Sequence, residues 1–443
     1  MTNDSVRIGL CGLGTVASGV VAIYQGHSSL LSDRAATGIA LTHIGARRDN
    51  PDCDTSAFTV SRDIFAVATD PQIDVVVELI GGTTVAKTLV ETAIKNGKHV
   101  VTANKALLAE HGNSLIALAE SKGVALRFEA AVAGGIPIIK TLRESLAGNR
   151  INSVAGIING TGNFILTEMA SANRTFDDVL AEAQALGYAE ADPTFDIDGT
   201  DAAHKLIILA SIAFGMPLNV TGPFTEGIDG IAPADLTFAA ELGYRIKHLG
   251  IARRVGEKID LRVHPTLVPS DKQIANVDGV LNAIMVSADA VGELVLVGPG
   301  AGSLPTASAV WGDVVDLCRE LGRGQRCPIP ALGVLQAALT DIERVSKGDV
   351  VSAWYLRLLA SDKPGVMAEI TRLLGSQGIS IESLIQHPPE AGVEHVQIVI
   401  LTDHAAGSRI EKALGEIEKL QAIGEHVVAL RVESFGRELS GGY

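Results

Sequence analysis

Aromatic side chains are scarce, with two Trp, five Tyr and ten Phe making up 4% of 443 residues. That argues against the stacking platforms used to hold single-stranded nucleic acid. An excess of positive charge is missing too: 36 Lys and Arg face 51 Asp and Glu, a formal net charge of −15, which opposes attraction to a phosphate backbone. No nucleic-acid partner is expected. The four cysteines, Cys11, Cys53, Cys318 and Cys327, have neither zinc-ligand spacing nor the density of a disulfide scaffold, so they read as reduced thiols. Apolar segments such as Val75 to Ile80 stop far short of a bilayer's thickness. The N-terminus, MTNDSVRIGL, lacks the basic and apolar regions of a secretory leader. A cytoplasmic chain with no membrane contact is expected. Glycine, by contrast, is plentiful at 47 residues, which suits a fold with many tight strand-to-helix turns. The length is a prior for roughly three domains.

Val6 to Cys11 is a short apolar run followed by Gly12-Leu13-Gly14, after which apolar residues recur at helical spacing. Strand signals repeat at Ile39 to Ala46, Val75 to Ile80, His99 to Asn104 and Val124 to Glu129, with helical stretches near Thr84 to Lys95 and Lys105 to Ser121 between them. Near-continuous apolar strands alternating with helices predict an α/β, doubly wound parallel sheet of the Rossmann type. In the turn Gly12-Leu13-Gly14-Thr15-Val16-Ala17, Gly12 permits the tight bend and Gly14 lets backbone approach a pyrophosphate. The small third residue lets helix pack on strand. A dinucleotide is therefore expected at Gly12, Gly14, Thr15 and Val16. The second strand ends in Arg47-Arg48 with no carboxylate, which suits the 2′-phosphate of NADP, with NAD the alternative; solvated charges beside Asp49 would give the same pattern.

Beyond Gly148 the pattern predicts an inserted α+β substrate domain with a mixed sheet, with strands at Ile151 to Ile158, Lys247 to Ala252, Ile259 to Val268, Leu281 to Ser287 and Glu293 to Val297. Residues 299–321 would then return to the nucleotide domain. The expected boundaries are 1–148 with 299–321 for nucleotide, 149–298 for substrate and dimerisation, 322–352 for a connector with a helical Ala331 to Arg344, and 353–435 for a tail domain. Asp201 and Lys205 lie four apart in an apolar helix from about Asp201 to Phe214, so they share one face. A cation in such a helix is unusual, although a surface ion pair has the same spacing. The preceding loop carries Glu190, Asp192, Asp196 and Asp198, able to cap the helix or grip a cationic substrate group. Lys105 falls just past a strand's carboxyl end, on the ligand edge of doubly wound folds. The tail from Trp354 reads as β-α-β-β-α-β, and Asp362-Lys363-Pro364-Gly365-Val366 would sit at a strand-to-helix junction with backbone amides for a carboxylate.

GLCGLGTVASGV, VVTANKALLA, EAAVAGGIPII, INGTGNFILTEM, GYAEADPTFDIDGTDAAHKLIILA and GPGAGSLPTASAVWGD resemble homoserine dehydrogenases of the monofunctional form with a C-terminal ACT domain, and the likeness covers essentially the whole chain. Ala17 stands where the family usually has Gly. The resemblance implies reversible NAD(P)H-dependent reduction of L-aspartate 4-semialdehyde to L-homoserine, in threonine, methionine and isoleucine synthesis. It makes Lys205 the proton donor, Lys105 a second active-site lysine close to the cofactor, and Glu190 and Asp201 the substrate carboxylates. It adds Thr102, Gly187 and Gly302 to the cofactor site, and Glu129, Val132, Gly134 and Ile136 as a loop for a monovalent cation, sodium. It also implies ACT domains pairing in a homo-oligomer, dimer or tetramer, with threonine as feedback effector. Two other readings remain open on spacing alone: a semialdehyde dehydrogenase with a cysteine nucleophile, and a non-catalytic nucleotide and amino-acid sensor.

Overall fold

The structure, a computed structural model, describes residues 5–218, 222–322, 329–388 and 394–435. Cys327 and most of the expected connector's first residues lie outside this set. The chain divides into two compact units, one comprising residues 1–160, 200–223 and 280–342, the other 161–199, 224–279 and 343–443.

The first unit holds a six-stranded sheet in the order Thr59–Ser61, Ile39–Gly45, Val6–Cys11, Val75–Glu78, His99–Thr102, Leu126–Arg127. All its pairings are parallel. Val75, Val76 and Val77 have no exposed surface, as expected of a strand covered on both faces. The chain reverses direction across the sheet at Val6–Cys11 and Val75–Glu78, which opens the ligand crevice at their carboxyl ends. The first strand is followed by the long helix Thr15–Ala35, which kinks at His27. Helix Ser303–Gly322 packs beside it through Ala307, Val310, Trp311 and Val314. Trp311 donates its indole N–H to the Val20 carbonyl at 2.9 Å. A separate antiparallel set, Gly292–Pro299, Leu281–Ala288 and Ile151–Ile157, completes the unit with the apolar helix Thr200–Phe214.

In the second unit the hairpin Tyr244–Val255 and Lys258–Pro269 pairs over its whole length. Lys258–Pro269 then pairs in parallel with Val428–Val432, the last strand of the tail. The tail sheet continues antiparallel through Val351–Ser361, His395–Thr402 and Ile381–Gln386, with helices Val366–Ser376 and Gly407–Ile417 in the β-α-β-β-α-β order read from sequence. The sheet is mixed, as expected. Its two faces bury different sets: Trp354, Leu356 and Leu358 pack against the tail's own helices, while Ala353, Tyr355, Leu401 and Leu430 join Phe164, Ala189, Leu236 and Phe238.

The expected helix Ala331 to Arg344 is not formed; turns and a single 3₁₀ turn, Gln336–Ala338, take its place. Gly333 adopts φ +81°, and the backbone is satisfied by distant partners. Gln336 N donates to Glu120, and Thr340 N donates to the Gly215 carbonyl at 3.0 Å. Tertiary hydrogen bonds override a helical composition here.

Candidate active site

Gly12 has φ +106°, and a Cβ there would stand 2.5 Å from the Leu79 carbonyl oxygen, so only glycine makes this bend. Gly14, at the N-terminus of helix Thr15–Ala35, has open space where a side chain would be. Backbone amides and the positive end of the helix are therefore accessible to an anion. Ala17 is buried in the core between helix and sheet. Val16 packs against that core, whereas Thr15 is exposed and its carbonyl accepts from Ser303 Oγ at 2.7 Å, which brings the Gly302 turn beside the glycine loop.

A cleft of about 800 Å³ opens at this point, lined by Gly12, Gly14, Arg47, Arg48, Gly81 and Gly82 among others. Arg47 and Arg48 are exposed in its wall and, among the described residues, neither pairs with a carboxylate. Asp49 instead pairs with Arg62 at 2.8 Å, a cleft residue sequence reasoning missed because the contact spans 13 positions of irregular chain. Thr102, by contrast, turns its hydroxyl into the protein, donating to Glu78 at 2.6 Å.

The second cluster forms where helix Thr200–Phe214 meets the chain after two strands. Asp201 is 4% exposed. Its Oδ2 accepts from Lys205 Nζ at 2.6 Å and Asn159 Nδ2 at 2.9 Å, and its Oδ1 lies 2.9 Å from Lys105 Nζ. Burial pushes the Asp201 carboxyl up, but the ammoniums of Lys205 and Lys105 outweigh it and hold the group well below the usual carboxylate range. Lys205 Nζ also donates to the Ile158 carbonyl at 2.7 Å. An ammonium has three N–H groups, so these two contacts leave one for a further acceptor. Helical spacing revealed the Asp201–Lys205 pair, and the strand before Lys105 placed that lysine on the ligand edge; the contacts of Lys105, 96 positions before Asp201, and of Asn159 with the carboxylate left no local trace.

Glu129, Val132, Gly134 and Ile136 are buried within one short segment. The Glu129 carboxylate accepts from Ile139 N at 2.8 Å and Lys140 N at 2.7 Å. Burial, and then nearby Asp313, push its pKa up from 4.5 to about 7. A carboxylate joined by backbone carbonyls would make an all-oxygen donor set suited to a hard cation. Among the described residues, no three or more His, Cys, Asp or Glu converge as a metal site, so backbone oxygens would have to supply most ligands. Glu190 and Gly187 lie in the second unit, exposed, in the segment after helix Phe176–Ala185. Burial pushes the thiol of Cys318 up to about 12 and raises that of Cys11 further.

Strand order, glycine turn and paired lysines are those of a nicotinamide-nucleotide-dependent dehydrogenase. Residues 12–129 match the NAD-binding domain of homoserine dehydrogenase, 137–315 match homoserine dehydrogenase, and 354–422 match the ACT domain. A homoserine dehydrogenase of Pseudomonas aeruginosa is 54% identical over 97% of this chain and 99% of its own, and one of Neisseria gonorrhoeae is 48% identical over 97% and 99%. The crystal structure of a homoserine dehydrogenase from Thiobacillus denitrificans, 48% identical, superposes with a TM-score of 0.92 over 98% of this chain and 99% of that one. The chain belongs to the homoserine dehydrogenase family: it is an oxidoreductase with a Rossmann-type nucleotide-binding fold, a mixed-sheet substrate region and a C-terminal ACT domain.

Proposed function

We propose that the protein interconverts L-aspartate 4-semialdehyde and L-homoserine with NADP as the preferred cofactor, NAD being the weaker alternative. The observation that carries this reading is the single buried carboxylate of Asp201 holding both Lys105 and Lys205. The nicotinamide cofactor, when bound, supplies the hydride chemistry. Gly12, Gly14, Thr15, Val16 and Gly302 hold its pyrophosphate end, and Arg47 and Arg48 receive a 2′-phosphate. Lys205 donates its remaining proton to the carbonyl oxygen as negative charge develops there, and Lys105 adds positive charge nearby. Glu190 receives the amino acid's ammonium, while Asp201 keeps the two lysines oriented. Gly187 borders the cofactor, and Thr102 serves the site through its neighbours. Burial disfavours Cys11 and Cys318 as the nucleophile of a reactive-thiol dehydrogenase.

A monovalent cation, sodium, is assigned to Glu129, Val132, Gly134 and Ile136, supported by the oxygen-only donor set. The ACT domain is assigned threonine as feedback effector at the turn before helix Val366–Ser376, where Gly365 has φ +95° at the N-terminus. One side of its sheet is covered within the chain by Lys258–Pro269, which leaves Ile381–Gln386 as the edge for pairing in a homo-oligomer, dimer or tetramer. The protein is assigned to the cytoplasm; no helix of the described residues is long and apolar enough to cross a membrane. The deciding experiment follows cofactor absorbance with L-aspartate 4-semialdehyde and NADPH or NADH, with and without threonine. Oxidation of neither cofactor would remove the assignment and leave a sensor.

A further inference from the structure

A buried carboxylate outside the lysine cluster is unexplained by the chemistry above. Glu78 ends the strand Val75–Glu78 with no exposed surface. Sequence shows it only as the acid in an otherwise apolar run, VVVELI. A buried carboxylate without a cation persists only if its oxygens are otherwise satisfied. Its Oε1 accepts from Ile80 N at 2.8 Å and from Gly81 N at 3.3 Å. Its Oε2 accepts from Thr102 Oγ1 at 2.6 Å.

The contacts close into a ring. Thr102 Oγ1, having donated to Glu78, accepts from Asn104 N at 3.0 Å. Asn104 Nδ2 donates to the Gly82 carbonyl at 2.7 Å, which returns the path to the loop that Glu78 folds. Asn104 Oδ1 accepts from Leu107 N at 3.0 Å and so caps the helix whose first residue is Lys105. Gly81 and Gly82, both at φ +69°, line the nucleotide cleft, and Lys105 reaches Asp201. Two backbone segments with separate tasks are thus tied through one side chain.

We propose that Glu78 is a positioning residue: through this ring with Thr102 and Asn104 it fixes the Gly81–Gly82 wall of the nucleotide cleft relative to the helix that carries Lys105. The reading deepens the proposed dehydrogenase activity and rests on it for its kinetic consequence, but its structural consequence is independent of turnover. It also gives Thr102 a role, as a link in the ring through its hydroxyl.

The test compares Glu78→Gln, Glu78→Ala and Thr102→Val in the full-length protein. Glutamine keeps an oxygen for the two amides and can donate to Thr102, so Glu78→Gln should stay within about fivefold of the parent. Glu78→Ala and Thr102→Val break the ring. Each should weaken NADPH binding, read by cofactor fluorescence, and lower kcat at saturating cofactor by about 10²-fold, since displacing a catalytic group by about 1 Å has that effect. Hydrogen exchange should quicken at Gly81, Asn104 and Leu107 in both variants, a readout that needs no catalysis. The effects of Glu78→Ala and Asn104→Ala should combine to less than their product, because either opens the same ring. Faster exchange at these amides without weaker nucleotide binding, or unaltered exchange in Thr102→Val, would overturn the proposal even if Glu78→Ala failed to fold. An inactive parent enzyme would instead overturn the dehydrogenase reading, and nucleotide binding and exchange would still decide the role of Glu78.

Discussion

Lys105 and Lys205 sit on opposite oxygens of one buried carboxylate, at 2.9 Å and 2.6 Å from Asp201. One lysine starts the helix after a strand of the parallel sheet; the other lies one turn into a helix that Ile158 and Asn159 contact. Asp201 therefore joins the ligand edge of the nucleotide fold to the helix Thr200–Phe214 within a single unit.

Lys205→Ala should lower kcat by about 10² to 10⁴, the usual worth of a general acid, while NADPH binding persists. Steady-state kinetics with cofactor titration separates the two. Near-parental kcat would move proton donation to another group.

Asp201→Ala should cost about 3–5 kcal/mol in denaturant unfolding, because two lysines lose their shared counter-charge. The pH dependence has a fixed sign. A carboxyl held below its ordinary range by Lys205 and Lys105 contributes stability that is complete above its unfolded value of about 3.9. That contribution is lost as pH falls towards the folded value. Asp201→Asn should flatten the acid limb of the stability profile; an unaltered limb would mean that other carboxylates dominate it.

Much of this site was legible because its geometry is local. The Gly12 bend, the exposed Gly14 and the Asp201–Lys205 pair follow from spacing within a turn or a helix. Contacts made by the tertiary fold left no periodic trace: Asn159 on Asp201, Arg62 on Asp49, Thr102 on Glu78. The helical composition of Ala331 to Arg344 misled for the same reason, since Glu120 and Gly215 claim backbone amides that a helix would have used internally. The pairing of Lys258–Pro269 with the tail's last strand is likewise a property of two distant segments.

Arg47 and Arg48 face the cleft without carboxylate partners among the described residues, Asp49 being paired with Arg62. Replacing both with Ala should lower the NADP-to-NAD ratio of kcat/KM by roughly 10- to 100-fold, the worth of a charge-assisted hydrogen bond or two. An unchanged ratio would return both side chains to the solvated surface.

Glu129 supplies a cation test with a definite pH direction. Its carboxyl is pushed from 4.5 up to about 7, chiefly by burial. Between those values the native chain keeps a proton that the unfolded chain has released, so stability falls as pH rises through this window and levels off above it. A bound cation favours the ionised form. Sodium, compared with choline at equal ionic strength, should therefore raise Tm more at pH 8 than at pH 5, and Glu129→Gln should remove the difference. Equal Tm values in the two salts at pH 8 would strike the cation from the site.

Were the ACT domain an independently folded regulator, cutting the chain near Val350 would leave an active enzyme. Its packing predicts the opposite. Ala353, Tyr355, Val399, Leu401, Leu430 and Val432 share one core with Phe164, Met169, Ala189, Leu236 and Phe238, and Ala189 precedes Glu190. Within that core Asp235, with no exposed side chain, accepts from Arg357 Nε at 2.5 Å and Nη2 at 3.0 Å, and from the Tyr355 hydroxyl at 3.0 Å. Truncation at Val350 would bare the apolar face that these residues cover, a known route to large destabilisation. The truncated chain should be insoluble or inactive. Arg357→Met in the full chain should cost about 3–5 kcal/mol by leaving Asp235 without its cation. A soluble, fully active truncation with the Tm of the intact protein would show that the substrate segment does not depend on the regulatory sheet.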